Sequence, residues 1–327
     1  MILAEKRNHK EEDEARHAPF DTERNAAATW YQTDQEKNLD STMASILTNE
    51  VRPNAEQKLF LGHFMQRLKL EMVEQRQRSS GSTSHEPLLD IVHGFPGTGK
   101  SKIIAWMREL MEKGLGWNHG TQFVCLAFQN AMAAQINGFT IHHWSGIPAR
   151  SIEGNTTGNR HEQSIKCQAL RLVIIDELSM VAAELFGALE YVVKNAIRIQ
   201  DTYKKRPDGS TRAFGGVNVA MFVDFWHLQP VSGTWFCANP LEIPAGRAQD
   251  ALWMLWGSGP DTIRSHWELS EIMRCKDIWY NEFLHECRNR NLQKDMYSFF
   301  HGLPALMSRL SECPCTGGDN EIVADPI

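Results

Sequence analysis

Gly94-Phe95-Pro96-Gly97-Thr98-Gly99-Lys100-Ser101 follows the pattern G-x-x-x-x-G-K-S. An apolar run, Leu88 to Val92, leads into it, and a helix-compatible run, Lys100 to Leu110, leads out. Strand, glycine loop and helix in that order are what a phosphate-cradling loop requires. The glycines permit a tight turn in which successive N–H groups face the phosphates, and the helix adds its positive N-terminal end. Gly94, Pro96, Gly97, Thr98 and Gly99 form the cradle. Lys100 is placed to reach the β- and γ-phosphates of a nucleotide, and to face solvent when none is bound; the Ser101 hydroxyl is placed to ligate Mg²⁺.

The flanking sequence sets the fold class. Leu88–Val92, Phe123–Phe128, Leu170–Ile175 and Val217–Val223 are short, nearly continuous apolar runs, as expected of parallel strands covered on both faces. Helical segments Lys100–Glu112, Ala131–Ile136 and Ala182–Ile197 alternate with them. Alternation of this kind predicts an α/β fold with a doubly wound, mainly parallel sheet, a RecA-like P-loop domain. Residues 1–50 are polar and carry the acidic run Glu11 to Glu14, and are expected to form a disordered or loosely helical tail. Order is expected from 51, where Asn54-Ala-Glu-Gln57 resembles a capping box followed by the stripe Leu59, Phe60, Phe64, Leu68 and Met72. The ATPase domain is expected over 51–245 and the start of a second, incomplete lobe over 246–327. Gln75–Glu86, Gly154–Gln163 and Lys204–Gly216 read as loops, the last two as surface insertions.

Composition narrows the partners. With 327 residues, net charge −6 and pI near 6.1, the chain has no global basic field, so nucleic acid would have to bind in a local groove. Seven irregularly spaced cysteines give no disulfide framework and point to a reducing, intracellular compartment. Cys313-Pro-Cys315 lacks a second pair, which speaks against zinc. No apolar run approaches a membrane span, and Met1-Ile-Leu-Ala is too short for a signal peptide.

Leu172-Val-Ile-Ile-Asp-Glu177 is a second nucleotide motif: a buried strand ending in two acids. Asp176 is suited to hold Mg²⁺ opposite Ser101 and Glu177 to polarise the attacking water, the pleat sending the two to opposite faces. An Asn-Lys-x-Asp guanine-reading motif is absent, which argues against a GTPase and for an ATP hydrolase.

In this order the motifs resemble those of the Pif-one-type DNA helicases of superfamily one, over about residues 51 to 295. Gln57 matches the family's adenine-reading glutamine, Gly94–Ser101 motif I, and Asp176-Glu-Leu-Ser-Met-Val181 motif II. Ala133-Ala-Gln-Ile-Asn-Gly-Phe-Thr-Ile-His142 is similar to a DNA-contacting stretch, which implies Thr140 and His142 as DNA-binding residues. Asp224-Phe-Trp-His-Leu-Gln-Pro-Val231 resembles motif III. Leu269, Arg274, Asp277, Leu284 and Arg288 resemble the motif IV region, with Arg274 as the implied arginine finger. The resemblance implies ATP and Mg²⁺ as cofactors and 5′ to 3′ translocation on single-stranded DNA and duplex junctions. It also implies a role in repair, recombination and telomere maintenance, in the nucleus, with mitochondrion and cytoplasm as alternatives.

The chain departs from the family at several points. His227 stands where motif III has the γ-phosphate-sensing glutamine, Val223 replaces a glycine, Gln229 a proline, and Cys275 follows Arg274 where glutamine is usual. The last two family motifs find no match, so the chain is expected to be a fragment. Two other readings stay open: a catalytically weak ATP- and DNA-binding remnant, and a P-loop ATPase without a nucleic-acid substrate. Gln57 has a capping alternative, His142 a packing one, and Trp144 and Trp226 are equally suited to core and to base stacking. Trp253, Trp256 and Trp267 read as packing residues.

Overall fold

The computed structural model describes residues 34–76, 85–148, 160–197, 204–275 and 277–300. Order begins earlier than expected. Residues 34–48 form a helix, α1, whose Leu39, Met43 and Ile46 are buried. Their spacing of four and three residues puts one apolar face on an otherwise polar segment, enough to dock it.

The helix α2 (Ala55–Arg76) then leads by way of 85–88 to β1 (Leu89–Gly94). The order continues α3 (Lys100–Glu109, extended by a π-turn to Gly114), β2 (Phe123–Ala127), α4 (Asn130–Gln135), β3 (Phe139–Thr140), α5 (Ile141–Ser145) and α6 (Arg160–Lys166). It ends β4 (Leu172–Asp176), α7 (Ala183–Ala196), β5 (Asn218–Val223), α8 (Arg247–Trp256), β6 (Ser265–Leu269), α9 (Ile278–Arg288) and α10 (Lys294–Phe300). The strands form one six-stranded sheet, β3-β2-β4-β5-β1-β6, with every neighbouring pair parallel. The expected fold class holds.

Alternation along the strands divides the core in two. Ile91, Val124, Leu126, Val173, Ile175, Val219 and Met221 face a cluster with α7 and α8. Val92, Phe123, Cys125, Leu172, Ile174, Ala220 and Phe222 face a cluster with α1, α2 and α3. β1, β2, β4 and β5 are buried on both faces, which is why they read as apolar runs rather than alternating ones. Leu59, counted in the α2 stripe, is 68% exposed; Leu61 takes the buried place beside Phe60.

Two expected boundaries move. Residues 265–269 were placed in a second lobe, but β6 pairs with β1 from Asp90↔Ser265 to Gly94↔Leu269, and α8 packs on α7, so the first sheet extends to at least Leu269. The alternating burial of Ser-His-Trp-Glu-Leu, an edge-strand pattern, hid it. The segment after Lys204 is not a surface insertion either. Arg206 and Arg212 are buried, and both bond to Glu86; Arg206 also bonds to Asp261 at 2.6 Å. Cys313 and Cys315 lie outside the described residues, among which no His, Cys, Asp and Glu cluster suits a metal ion. No helix among them is long and apolar enough to cross a membrane.

The strand ends opposite the phosphate loop are tied by buried charge. Glu71 of α2 is fully buried, bonds to Arg67 at 2.7 Å and Asn218 at 3.0 Å, and pairs with Arg171. Burial alone would raise the Glu71 carboxyl, but Arg171 and Arg67 with these hydrogen bonds outweigh it and hold it below its ordinary value of 4.5. Its contribution is present above that value and lost as pH falls through the lowered one. Glu71→Gln should cost about 3–5 kcal/mol, because it removes the buried charge that pairs with Arg171 and leaves Arg67 with Glu74 as its remaining carboxylate. Denaturant unfolding at pH 7 and pH 4 checks this, and the substitution should flatten the acid limb of the stability profile.

Candidate active site

The phosphate loop joins β1 to α3 between two glycines in left-handed conformation, Gly97 at φ 91° and Gly99 at φ 88°. A Cβ at Gly99 would stand 2.5 Å from Gln57 Nε2, so the position excludes side chains twice over. The loop's carbonyls are occupied by the protein's own donors. Gly94 O accepts from Lys100 Nζ at 2.7 Å and Phe95 O from the Thr98 hydroxyl at 2.8 Å. Gly97 O accepts from Met273 N and Arg274 N at 2.8 and 3.1 Å, and Thr98 O from Gln57 Nε2 at 2.8 Å.

Gln57 is the brace behind the loop. Its Oε1 accepts from Asn54 N while Asn54 Oδ1 accepts from Gln57 N, a reciprocal cap at the start of α2. The same side chain therefore caps the helix and holds the loop. Next to it, Glu56 bonds Ser270 N at 2.8 Å and the Ser270 hydroxyl, fixing the segment that passes over Gly97.

Lys100, expected to face solvent, is 8% exposed and folded back on Gly94 O. Burial pulls its ammonium below the usual lysine value and Arg288 adds to this, while Glu177, Asp224 and Asp176 oppose it. Ser101 is exposed on the first turn of α3. Asp176 ends β4 and is 5% exposed. Burial and the Glu177 charge push its carboxyl up to about 6, against the Glu177 N–H bond and Lys100. A buried carboxylate at the end of β4 and an exposed hydroxyl on the first turn of α3 are the donor types a Mg²⁺–nucleotide complex requires. The residues present fit that group.

The pleat does not separate the two acids as expected. The strand stops at Asp176, and Glu177 is left-handed at φ 52°, ψ 49°, so the strand's alternation does not continue through it. Its Oε2 is buried without a hydrogen-bond partner, 3.6 Å from His227 Nδ1, which also lacks one. His227 thus faces Glu177.

Thr140 and His142 sit at the carboxyl end of β3. The Thr140 hydroxyl caps α5 through His143 N at 3.2 Å, and His142 Nδ1 lies 2.9 Å from Ile147 O. The two tryptophans part company: Trp144 is 4% exposed and belongs to the core, Trp226 is 68% exposed. Trp267 packs on Phe60 and bonds Asp90 at 3.1 Å, and Trp256, though 46% exposed, packs on Phe225 and donates to Phe236 O, as packing residues should, whereas Trp253 is 42% exposed. Arg274 is exposed, and what the structure fixes is its backbone against Gly97. Sequence reasoning gave no specific role to Arg288, whose guanidinium lies 4.4 Å from the Phe95 ring centre and bonds to Asp224. A cleft of about 510 Å³ opens between Phe95, Pro96, Arg274 and α9.

A family model described as AAA domain matches residues 72–199. ATP-dependent DNA helicase PIF1 of Homo sapiens is 32% identical over 202 residues, 56% of this chain and 27% of that protein. ATP-dependent DNA helicase RRM3 of Saccharomyces cerevisiae is 29% identical over 148 residues, 42% of this chain and 18% of that protein. The aligned fold of the Candida albicans Pif1 helicase crystal structure gives a TM-score of 0.52 at 22% identity, over 76% of this chain and 47% of that one. Over these stretches the chain is similar to the Pif1-type DNA helicases. It spans about a quarter or less of the two curated relatives, and the Candida structure bears on the fold alone.

The roles of the two acids can be separated experimentally. Mg²⁺-dependent nucleotide binding should weaken as pH falls through about 6, where Asp176 takes up a proton. Asp176→Asn should bind weakly at all pH values and lose that dependence. Glu177→Gln should bind as the parent does. Titration with a fluorescent ATP analogue, with and without Mg²⁺, distinguishes these outcomes.

Proposed function

We propose that this chain is the nucleotide-binding part of an ATP-dependent DNA helicase or single-strand translocase. The observation that carries the proposal is the convergence on one phosphate loop of Lys100, Asp176 and Glu177, whose charges act on one another. The curated relatives are named as ATP-dependent DNA helicases, which supports the DNA-driven form of the reading.

Bound Mg²⁺–ATP would supply the transferable phosphoryl group, with Ser101 and Asp176 holding the cation. Lys100 exchanges its bond to Gly94 O for the terminal phosphate, where its charge stabilises the transition state. Glu177, whose Oε2 has no hydrogen-bond partner, orients the water. Arg274 is carried on the segment bonded to Gly97 O, so its guanidinium is delivered to the site from a fixed backbone. Gln57 reads the adenine only by giving up a bond to Asn54 N or Thr98 O; its brace role needs no such exchange.

Single-stranded DNA is held at the carboxyl ends of the strands. Thr140 and His142 stand there beside exposed His143, and the exposed Trp226 ring offers a base a stacking face worth about 1–3 kcal/mol. Phosphate contacts supply most of the affinity, so binding is steeply salt-dependent. Translocation 5′ to 3′, duplex junctions as substrates, a place in repair, recombination and telomere maintenance, and a nuclear site of action follow from the family. One observation favours the weak-remnant alternative: His227 lies beside Glu177, where the family's glutamine senses the γ-phosphate.

Lys100→Met should abolish ATP turnover while leaving the far-ultraviolet circular dichroism unchanged. An oligothymidine titration at 50 and 200 mM salt should show binding that falls steeply with salt and weakens in Trp226→Ala. Turnover insensitive to Lys100→Met removes the ATPase reading. Absence of oligonucleotide binding at the lower salt removes the DNA-directed part alone.

A further inference from the structure

One charge pair outside the assigned phosphate-site residues reaches into it from α9. Arg288 closes the last turn of that helix, and its Nη2 bonds to Asp224 Oδ2. Asp224 follows β5 and is 1% exposed. A carboxylate so buried needs a counter-charge. Lys100 feels its charge but spends its hydrogen bond on Gly94 O, which leaves Arg288 as the cation bonded to Asp224 among the described residues.

Asp224 in turn shapes a tight turn. Its Oδ1 accepts from Trp226 N at 3.1 Å and its carbonyl from His227 N at 3.0 Å. That turn presents His227 to Glu177, 3.6 Å away. The guanidinium is steadied by the face of Phe95 in the phosphate loop. A continuous set of contacts therefore runs from α9 through Asp224 and His227 to the carboxylate that orients water.

We propose that Arg288 is a positioning residue: by clamping Asp224 it fixes the 224–227 turn and so the place of His227 beside Glu177. The consequence for hydrolysis rests on the proposed function; the clamp is a property of the unliganded chain. Loss of Arg288 leaves the buried Asp224 carboxylate without its bonded counter-charge, so it turns toward water and the turn loosens. Lysine supplies charge without the planar fork or the stacking face, so it restores the clamp only in part.

Amide hydrogen exchange on the unliganded full chain reads the clamp directly. Arg288→Ala should speed exchange at Trp226 and His227 by about tenfold, the scale of one charge-assisted hydrogen bond. Arg288→Lys should fall between it and the parent. Asp224→Asn keeps an acceptor for Trp226 N but drops the charge, and should speed His227 exchange. Exchange in β2 and α7 should not change. In ATP turnover, Arg288→Ala should lower kcat with KM unchanged, and adding it to His227→Ala should cost nothing further. Unchanged exchange at residues 226 and 227 in both Arg288→Ala and Asp224→Asn overturns the clamp, as does an equal rise across the whole sheet. Faster local exchange in a chain that hydrolyses no ATP keeps the clamp and removes the hydrolytic reading.

Discussion

The structure depends on the phosphate loop having its carbonyls bound from the inside. The carbonyls of Gly94, Phe95, Gly97 and Thr98 take donors from Lys100, Thr98, Met273, Arg274 and Gln57. With the acceptors drawn inward, the backbone dipoles point outward, and the first amides of α3 have no intrahelical acceptor to satisfy them. An anion site is made by removing the alternatives. The donors come from α2, from the loop itself and from the segment after β6, so parts of the chain more than two hundred residues apart cooperate to shape eight residues. At the other end of the strands the Glu71, Arg67, Arg171 and Asn218 cluster fixes α2 to β4 and β5, which keeps Gln57 at its post.

Much of this was legible in the residues. Leu172 to Asp176 and Asn218 to Val223 are apolar because both their faces are covered, and the glycine pattern announced the loop between β1 and α3. What escaped was long-range. The burial of β6 alternates because it is an edge, and its partner, β1, lies far upstream in sequence. No periodicity can report that pairing. Arg206 and Arg212 looked like solvated charges in a polar loop, and only the approach of Glu86 and Asp261 makes them interior.

The candidate site divides in the same way. Residue identity and spacing named Lys100, Ser101, Asp176 and Glu177, because phosphate chemistry leaves few substitutes. Orientation was a matter of backbone. An extended strand would have parted Asp176 from Glu177, and the left-handed turn at Glu177 brings its carboxylate to His227 instead. Gln57 carried two readings in sequence, a cap and an adenine contact; the structure shows the cap and adds a bond from the same amide to Thr98 O that neither reading included.

The two amides donated to Gly97 O, from Met273 and Arg274, put the phosphate loop in series with whatever pulls on the chain beyond them. A displacement of α9 along its axis would be felt at Gly97, a residue with no side chain to absorb it and with a backbone conformation few others tolerate. Stiff couplings of that kind transmit force over short distances with little loss. Tension on that segment and the geometry of the phosphate loop meet at a single peptide unit.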